Sequence, residues 1–299
     1  MTIIQRTDLN SYLYIMARSA LNSSRRLVPP SLIRPTRSLN QEFAIGITTY
    51  IERYERYFKP LYHAITRSFP EVHLCIAVNG HGNAEAQQRY LERMQQELCS
   101  RAPAHHRFVL HDRAVGLTTL WNEILDLSLP LPVLMLNDDL RIHAWLRRWA
   151  EGFDWQASTL TLLNSTWSNF VISDRTVDRL GGFDPGFTGI GFEDMDYTAR
   201  AGLAGVSISN VLCPYITHKN HQPKATSFDS ISDRVWGKYT SANQAYFFGK
   251  WQTCSADEGV FIKQIAAHVK PVRPLAPVTL LRTPPENTGR TSAIHPDRS

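Results

Sequence analysis

Short apolar runs with the composition of strands alternate with amphipathic segments, and this alternation constrains the fold more than any other feature. The runs at 43–48 (FAIGIT), 72–78 (VHLCIAV) and 133–136 (VLML) predict buried strands, and apolar residues three or four positions apart between them predict helices. Strands that alternate with helices form a parallel sheet covered on both faces. The sequence therefore predicts an α/β fold with a Rossmann-like, mainly parallel sheet flanked by helices.

Composition divides the chain into four parts. Residues 1–40 hold six arginines against one aspartate and end in a proline-rich linker, whereas 270–299 hold six prolines and few apolar residues. We expect a basic amino-terminal extension over 1–40, one folded domain over 41–222, a helical segment packed on it over 223–269, and a disordered tail over 270–299. A membrane-touching segment, a transit peptide and a merely disordered segment all remain open for the extension.

Charge, cysteine content and hydropathy argue against several classes of protein. The net charge of +5 comes from the two ends of the chain, and the body between them is slightly acidic, which argues against a nucleic-acid-binding protein. Four cysteines show neither CxxC nor zinc spacing, and no apolar run approaches the roughly 18 residues of a membrane span. We expect a cytoplasmic protein, with its basic ends available to an anionic membrane surface at the inner face of the cell membrane.

Polar residues follow three predicted strands, at the edge of the sheet where α/β folds bind ligands. They lie at 48–50, at 79–83 and at Asn137-Asp138-Asp139. The two adjacent aspartates supply hard oxygen ligands, and His218 after a later strand offers a nitrogen. This set suits Mn²⁺ or Mg²⁺ with a diphosphate completing the coordination shell.

The segment 181–200 (GGFDPGFTGIGFEDMDYTAR) joins a glycine-rich loop to an acidic helix start. Glycine permits close backbone approach to a ligand, so the loop can fold over a substrate. Glu193, Asp194 and Asp196 lie in the first turn of the predicted helix, where the helix dipole favours negative charge. These acids could simply begin a helix. With a second acidic site upstream, we expect Asp194 or Glu193 to take the proton from an attacking hydroxyl.

The two acidic elements resemble motifs of GT-A glycosyltransferases. The Asn137-Asp138-Asp139 turn resembles their DxD element, and 181–200 is similar to the acceptor-loop and catalytic-base segment of the family 2 and galactosyltransferase-like branches. The resemblance covers about residues 42–222, and it makes 41–222 a GT-A catalytic domain. It implies an inverting, metal-dependent transfer of a sugar from a nucleoside diphosphate sugar, with a UDP-sugar favoured. The implied acceptor is a saccharide or lipid-linked saccharide in bacterial surface polysaccharide or glycolipid biosynthesis.

The resemblance also implies roles for individual residues. The donor would be bound by strand-end, loop and turn residues: Thr48, Thr49 and Tyr50 around the nucleoside, Asn79 near the base, Arg113, Gly116 and Asn122 beside the nucleotide or sugar, and Asn137 and Asp138 at the acidic turn. The metal would be held by Asp139, Asp138 and His218. Asp194 would be the general base, Glu193 would hold the acceptor hydroxyl or sugar, and Gly189 and Gly191 would let the loop close over the donor. Asn79 and Asn137 occupy positions where relatives often carry an acid.

Two other functions remain open. A sugar nucleotidyltransferase uses a similar sheet, but it would need a glycine-rich basic loop after the first strand, and 48–56 (TTYIERYER) contains no glycine. The chain could also be a non-catalytic sugar- or partner-binding module on a degenerate transferase fold. The simultaneous presence of Asp139, Glu193, Asp194 and His218 favours an enzyme over such a module.

Overall fold

The computed structural model describes residues 42–80, 83–157, 159–218, 238–251 and 292–294. The strands in this part of the chain are β1 Ala44–Thr49, β2 His73–Val78, β3 His106–Leu110, β4 Val133–Asn137, β5 Leu140–Ile142, β6 Leu160–Leu163, β7 Thr166–Ile172, β8 Ile208–Val211, β9 Ile216–His218 and β10 Ser292–Ile294. The α-helices are α1 Lys59–Ser68, α2 Ala84–Glu97, α3 Leu117–Ser128, α4 Leu146–Gly152, α5 Asp174–Leu180, α6 Glu193–Leu203 and α7 Lys238–Trp251. A 3₁₀ turn over Ile51–Arg53 and a π-helical turn over Tyr54–Phe58 lead into α1.

Eight strands form one sheet in the order β10-β3-β2-β1-β4-β7-β6-β8. The four strands β3, β2, β1 and β4 are parallel, β7 runs antiparallel to both β4 and β6, and β8 is parallel to β6. The predicted α/β class with a mainly parallel sheet is confirmed. In the register, Thr49 lies opposite Val78 and Thr48 opposite Asn137, so the carboxyl ends of β1, β2 and β4 reach the same edge.

Two apolar clusters pack on opposite faces of the sheet. Successive residues of β1 serve different faces, because side chains alternate along a strand: Ala44 belongs to one cluster and Ile45 to the other. Helix α3 packs closely on β1, where a Cβ added to Gly46 would lie 2.3 Å from Cγ2 of Ile124. Each large aliphatic side chain buried in this way contributes about 1.5–3 kcal/mol to stability, which fixes the position of the helices over the sheet.

The region after β4 differs from the sequence-based expectation. The three-residue strand β5 was not predicted, and the region 208–218 is divided between β8 and β9, which belong to different sheets. Pro214 lies between them and has no amide hydrogen to donate to a sheet. Strand β9 pairs with β5, and this pairing places His218 opposite Leu140, next to the acidic turn.

The ends of the chain are described only in part. Residues 1–41, and with them the predicted basic extension, lie outside the described residues. The predicted helical segment 223–269 contains α7, and the predicted tail is described only at β10, which pairs antiparallel with β3. Among the helices that the structure describes, none has the length and apolarity needed to cross a membrane.

Candidate active site

The two aspartates of the acidic turn are buried at the carboxyl end of β4. Asp138 and Asp139 expose only 2% and 3% of their surface. Thr49 Oγ1 donates a hydrogen bond to Asp138 Oδ2 over 2.8 Å, because β1 and β4 are neighbours in register. A buried carboxylate is costly unless it is paired, so this acid pair requires a cation nearby.

The nearest cation in the described part of the chain is Arg53, which was not predicted from the sequence. Its Nε lies 2.8 Å from Asp138 Oδ1, and its Nη2 lies 3.2 Å from Asp139 Oδ2. The guanidinium is buried over the rings of Tyr50 and Tyr57, with centroids 5.7 and 5.2 Å from Cζ. Burial lowers the pKa of Arg53, but Asp138 and Asp139 outweigh this and keep the pKa above its usual value. Arg53 is therefore a permanent cation inside the acid pair.

His218 reaches the same pair from β9. Its Nδ1 lies 3.5 Å from Asp139 Oδ2. Burial raises the pKa of Asp139, but the hydrogen bond from His218 and the charge of Arg53 lower it more, so the carboxylate is ionised. The second oxygen, Oδ1, is buried and has no hydrogen-bond partner among the described residues. We call Thr49, Arg53, Asp138, Asp139 and His218 the acidic-turn cluster.

A cation would fit at Asp139 Oδ1, a hard oxygen that is desolvated and makes no other bond within the described chain. The three predicted ligands do not form a complete protein cage. Across the described ranges, no group of three or more histidine, cysteine, aspartate or glutamate side chains is arranged to hold a metal ion. A metal here would need further oxygens from a ligand or from water, as Mg²⁺ and Mn²⁺ sites for phosphates commonly do.

The residues predicted around the nucleoside line the neighbouring strand ends. Thr48, Thr49 and Tyr50 are buried at the end of β1, and Asn137 ends β4 opposite Thr48. Burial raises the pKa of Tyr50 to about 12, so its phenol stays protonated and can donate a hydrogen bond.

Asn79 bonds to the backbone, and its predicted contact with the base stays a prediction. Its side chain is completely buried. Its Oδ1 accepts hydrogen bonds from the amides of Gly80 and Val115, each over 2.9 Å, and its Nδ2 donates to the carbonyl of Val115 over 2.9 Å. Asn79 therefore ties the end of β2 to the segment that enters α3.

Three other residues predicted to bind the donor also make contacts within the protein, and their donor contacts stay predictions. Arg113 is exposed, and its Nε lies 3.9 Å from Asp112. Gly116 precedes α3, and a Cβ added there would lie 2.5 Å from the carbonyl oxygen of Phe187. Asn122 bonds both backbone groups of Phe183, at 2.7 Å to its nitrogen and 2.8 Å to its oxygen. Gly116 and Asn122 thus hold the glycine loop, and Arg113 forms a surface pair.

The glycine loop, residues 181–192, is fastened on two sides. From α3, the Leu117 amide donates to the carbonyl of Gly189 over 3.2 Å. From α7, the side chain of Asn243 accepts from the Gly189 amide over 3.3 Å and donates to the Gly191 carbonyl over 2.9 Å. Gly191 has a φ of 104°, a conformation that favours glycine. The two glycines predicted to let the loop close are therefore both held by hydrogen bonds.

The loop delivers two acids with unequal exposure. Glu193 is buried, and its Oε2 has no hydrogen-bond partner in the described part of the chain. Burial and the charge of Asp194 raise the pKa of Glu193 to about 8. Asp194 is half-buried, its Oδ1 accepts a hydrogen bond from the Met195 amide over 2.8 Å, and burial raises its pKa. Asp194 is thus the more accessible of the two acids, and burial beside Asp194 favours the protonated form of Glu193.

Helix α7 also anchors the loop through charge, which the sequence analysis missed. Asp196 has no exposed surface and accepts hydrogen bonds from Arg200 Nε and Trp251 Nε1, each over 2.9 Å, while Lys250 Nζ lies 2.7 Å away. Lys250 also pairs with Asp184 at the start of the loop. The only signal in the sequence was the lysine among the aromatic residues of 246–251.

Comparisons with known proteins concern the fold. No protein family model matches the sequence, and no curated protein matches it. TarS from S. aureus is a similar solved structure, with 14% identity and a TM-score of 0.47; the match covers 76% of this chain and 42% of TarS, so the chain spans less than half of that protein.

Two smaller proteins are similar over most of their length. One is the mannosyltransferase PcManGT from Pyrobaculum calidifontis in complex with GDP-Man and Mn²⁺, with 9% identity, a TM-score of 0.43, and coverage of 87% of this chain and 85% of that one. The other is glucosyl-3-phosphoglycerate synthase from Mycobacterium tuberculosis in complex with Mn²⁺, UDP and glucosyl-3-phosphoglycerate, with 14% identity, a TM-score of 0.43, and coverage of 75% and 87%. The predicted membership of the GT-A glycosyltransferases stays a prediction.

Proposed function

We propose that the protein is a metal-dependent, inverting glycosyltransferase that moves a sugar from a nucleoside diphosphate sugar to an acceptor hydroxyl. The observation that carries the proposal is the buried pair Asp138 and Asp139 at the end of β4, with His218 brought to Asp139 by β9. Arg53 pairs with both carboxylates, but Oδ1 of Asp139 is buried without a hydrogen-bond partner among the described residues, and its place at a strand end favours a binding role.

Mn²⁺ or Mg²⁺ would be held by Asp139, Asp138 and His218, with the donor diphosphate and water supplying the remaining ligands. The unbonded Oδ1 of Asp139 supports this assignment. When bound, such an ion offsets the negative charge that develops on the departing diphosphate. Thr48, Thr49 and Tyr50 would line the nucleoside pocket, and a UDP-sugar is the favoured donor.

Asp194 would be the general base of the reaction. Its carboxylate would take the proton of the acceptor hydroxyl while the hydroxyl oxygen bonds to the anomeric carbon and the bond from that carbon to the diphosphate oxygen breaks. A single displacement of this kind inverts the anomeric configuration. Glu193, protonated and buried beside Asp194, would hold the acceptor by a hydrogen bond. Half-burial of Asp194 and the raised pKa of both acids support these roles.

The acceptor would be a saccharide or lipid-linked saccharide in bacterial surface polysaccharide or glycolipid synthesis. The basic ends of the chain support a cytoplasmic protein that touches the anionic inner face of the membrane, since lysine and arginine near such a surface each contribute about 1 kcal/mol to binding. The loop anchors on α7 support a catalytic unit that includes the segment 223–269 together with 41–222.

A thermal-shift panel tests the proposal. UDP-, GDP-, CDP- and dTDP-sugars are each added with Mn²⁺ and, separately, with EDTA. Because a ligand that binds only the folded state raises the melting temperature, we expect a shift with one class of donor, and only when metal is present. A folded protein that shifts with no donor would contradict the proposal and favour a non-catalytic binding module. A metal-independent shift would contradict the metal assignment alone.

A further inference from the structure

Arg53 occupies a place that the proposed function does not explain. It lies in the turn directly after β1, and only 8% of its surface is exposed. Its guanidinium contacts both carboxylates of the acidic-turn cluster, through Nε to Asp138 and through Nη2 to Asp139. A divalent metal would use the same two carboxylates.

The contacts within the cluster leave little room for a metal to coordinate freely. Asp138 forms an ion pair with Arg53 through Oδ1, and its Oδ2 accepts a hydrogen bond from Thr49. Asp139 shares Oδ2 between Arg53 and His218, and its Oδ1 has no hydrogen-bond partner within the described residues. A metal bound to Oδ1 of Asp139 would therefore lie close to a buried guanidinium, and two cations in such a site repel each other strongly.

The donor diphosphate can relieve this repulsion, because it brings two or more negative charges to the same place. A guanidinium binds phosphate oxygens in a fork of two hydrogen bonds, so Arg53 can exchange its carboxylates for the diphosphate. The rings of Tyr50 and Tyr57 lie beside the guanidinium, 5.7 and 5.2 Å from Cζ to the ring centroids.

We propose that Arg53 is a counter-cation built into the acid pair, and that it makes metal binding depend on the donor diphosphate. The inference rests on the proposed function and adds a property of the same site. Without a donor, Arg53 holds Asp138 and Asp139 and keeps affinity for the metal low. With a donor, the guanidinium turns to the diphosphate and releases carboxylate oxygens to the metal.

The first test measures the affinity of the protein for Mn²⁺ in the absence of a nucleotide. Free Mn²⁺ gives an electron paramagnetic resonance signal that disappears on binding, so the affinity of the full chain is read without any nucleotide. We expect Arg53→Met to bind Mn²⁺ at least about tenfold more tightly than the wild type, because a like charge has been removed from a buried site. Arg56→Met is the matched control, since Arg56 is an exposed arginine three residues away, and it should behave as wild type. Equal Mn²⁺ affinity in Arg53→Met and wild type would overturn the inference.

The second test needs no variant. Calorimetry gives the affinity of the wild type for UDP and for GDP, each with Mn²⁺ and with EDTA. Linkage is reciprocal, so if the diphosphate promotes metal binding, Mn²⁺ must tighten the nucleotide by the same factor. We expect Mn²⁺ to increase the affinity of the wild type for the nucleotide that binds by at least about tenfold. In Arg53→Met, Mn²⁺ should increase this affinity by a smaller factor. A factor near one in the wild type would overturn the inference.

The two proposals fail in different ways. If neither nucleotide binds the folded wild type under any condition, the proposed function fails and the inference fails with it. If a nucleotide binds but Mn²⁺ alone binds just as well as it does with the nucleotide, only the role of Arg53 is lost. Should Arg53→Met fail to fold, Arg53→Lys keeps the positive charge, and we expect it to retain weak binding of Mn²⁺ alone. Tight binding of Mn²⁺ by Arg53→Lys would contradict the inference.

Discussion

Lys250 Nζ lies 2.7 Å from Oδ1 of Asp196, a carboxylate with no exposed surface. The same amine pairs with Asp184 at the other end of the glycine loop. One side chain of α7 therefore neutralises two acids that flank the loop on either side. The position of Asp194, two residues before Asp196, depends on this pairing.

Lys250→Met should destabilise the protein by about 3 kcal/mol, because it leaves Asp184 without its paired lysine and leaves Asp196 with Arg200 as its one paired cation in the described part of the chain. We expect a lower midpoint of urea unfolding, and a transfer rate that falls even at temperatures where the variant is folded. Arg89→Met is the control, since Arg89 forms an exposed pair with Glu85 on α2 and should leave both measurements nearly unchanged. Unaltered stability in Lys250→Met would contradict the anchoring role.

Asp194→Asn should abolish transfer and leave donor binding intact. Loss of a general base lowers the rate by about 10²–10⁴-fold, whereas the donor is bound by other residues. Turnover and the thermal shift with donor measure the two effects separately. Asp178→Asn changes an exposed acid on α5, and as a control it should leave both the turnover and the thermal shift unchanged. A variant at 194 with normal turnover would remove Asp194 from the role of base.

Glu193→Gln should raise stability above neutral pH. Between the usual carboxyl pKa of 4.5 and the folded value of about 8, the folded protein keeps a proton that the unfolded chain has lost. The free energy of unfolding therefore falls as pH rises through this window, by about 4 kcal/mol at pH 8, and the glutamine substitution removes this fall. Urea unfolding at pH 5 and pH 8 measures the difference.

Glu193→Gln should keep the rate of sugar transfer at pH 7 within several-fold of the wild-type rate, because glutamine resembles the protonated acid. Glu193→Ala removes the hydrogen-bonding group and should reduce transfer much further. If Glu193→Gln proves as inactive as Glu193→Ala at pH 7, the ionised form of Glu193 is the active one and the assignment of the base must be reconsidered.

Asp139→Ala should eliminate the dependence of donor binding on metal. The donor-induced thermal shift would become equal in Mn²⁺ and in EDTA, with affinity in Mn²⁺ reduced at least about tenfold, because the main proposed metal ligand is gone. Asp126→Ala, at an exposed acid on α3, serves as the control. A retained difference between Mn²⁺ and EDTA would exclude Asp139 as a ligand.

His106 should make the fold sensitive to acid. Burial, together with the nearby His105, lowers the pKa of His106 from 6.5 to about 4. Between these values the unfolded chain binds a proton that the folded protein does not, so the free energy of unfolding falls as pH drops from 6.5 to 4, by about 3 kcal/mol. His106→Gln should flatten this dependence in urea unfolding, whereas the exposed His73→Gln should keep it. An equal slope in both variants would exclude His106 as its cause.

The main strands and helices were predictable because a buried strand or helix face requires apolar residues at regular positions in the sequence. The apolar runs of β1, β2 and β4, and the spacing of Leu120, Trp121 and Ile124 in α3, follow directly from side-chain periodicity. Strand β5 was missed because three residues are too few to show a period, and its pairing with β9 is decided by tertiary contact.

The site was predictable only where residue chemistry is unambiguous. Asp138, Asp139 and His218 do meet, as their types suggested. Asn79 and Asn122 bind backbone, and an asparagine at a strand end or in a helix looks the same in sequence whether its partner is a ligand or a peptide group. Arg53 could not be told from the exposed Arg56, because both lie in one charged turn and only the fold decides which is buried.

The side-chain amide of Asn243 determines how far the chain can be truncated from its carboxyl end. It joins two glycines that precede it by more than fifty residues, so α7 and the glycine loop form one hydrogen-bonded unit. A fragment that ends at residue 222 would retain the strands from β1 to β9 and lose the outer support of the loop. The smallest piece that can preserve the geometry around Glu193 and Asp194 therefore extends from the start of β1 at least to Trp251.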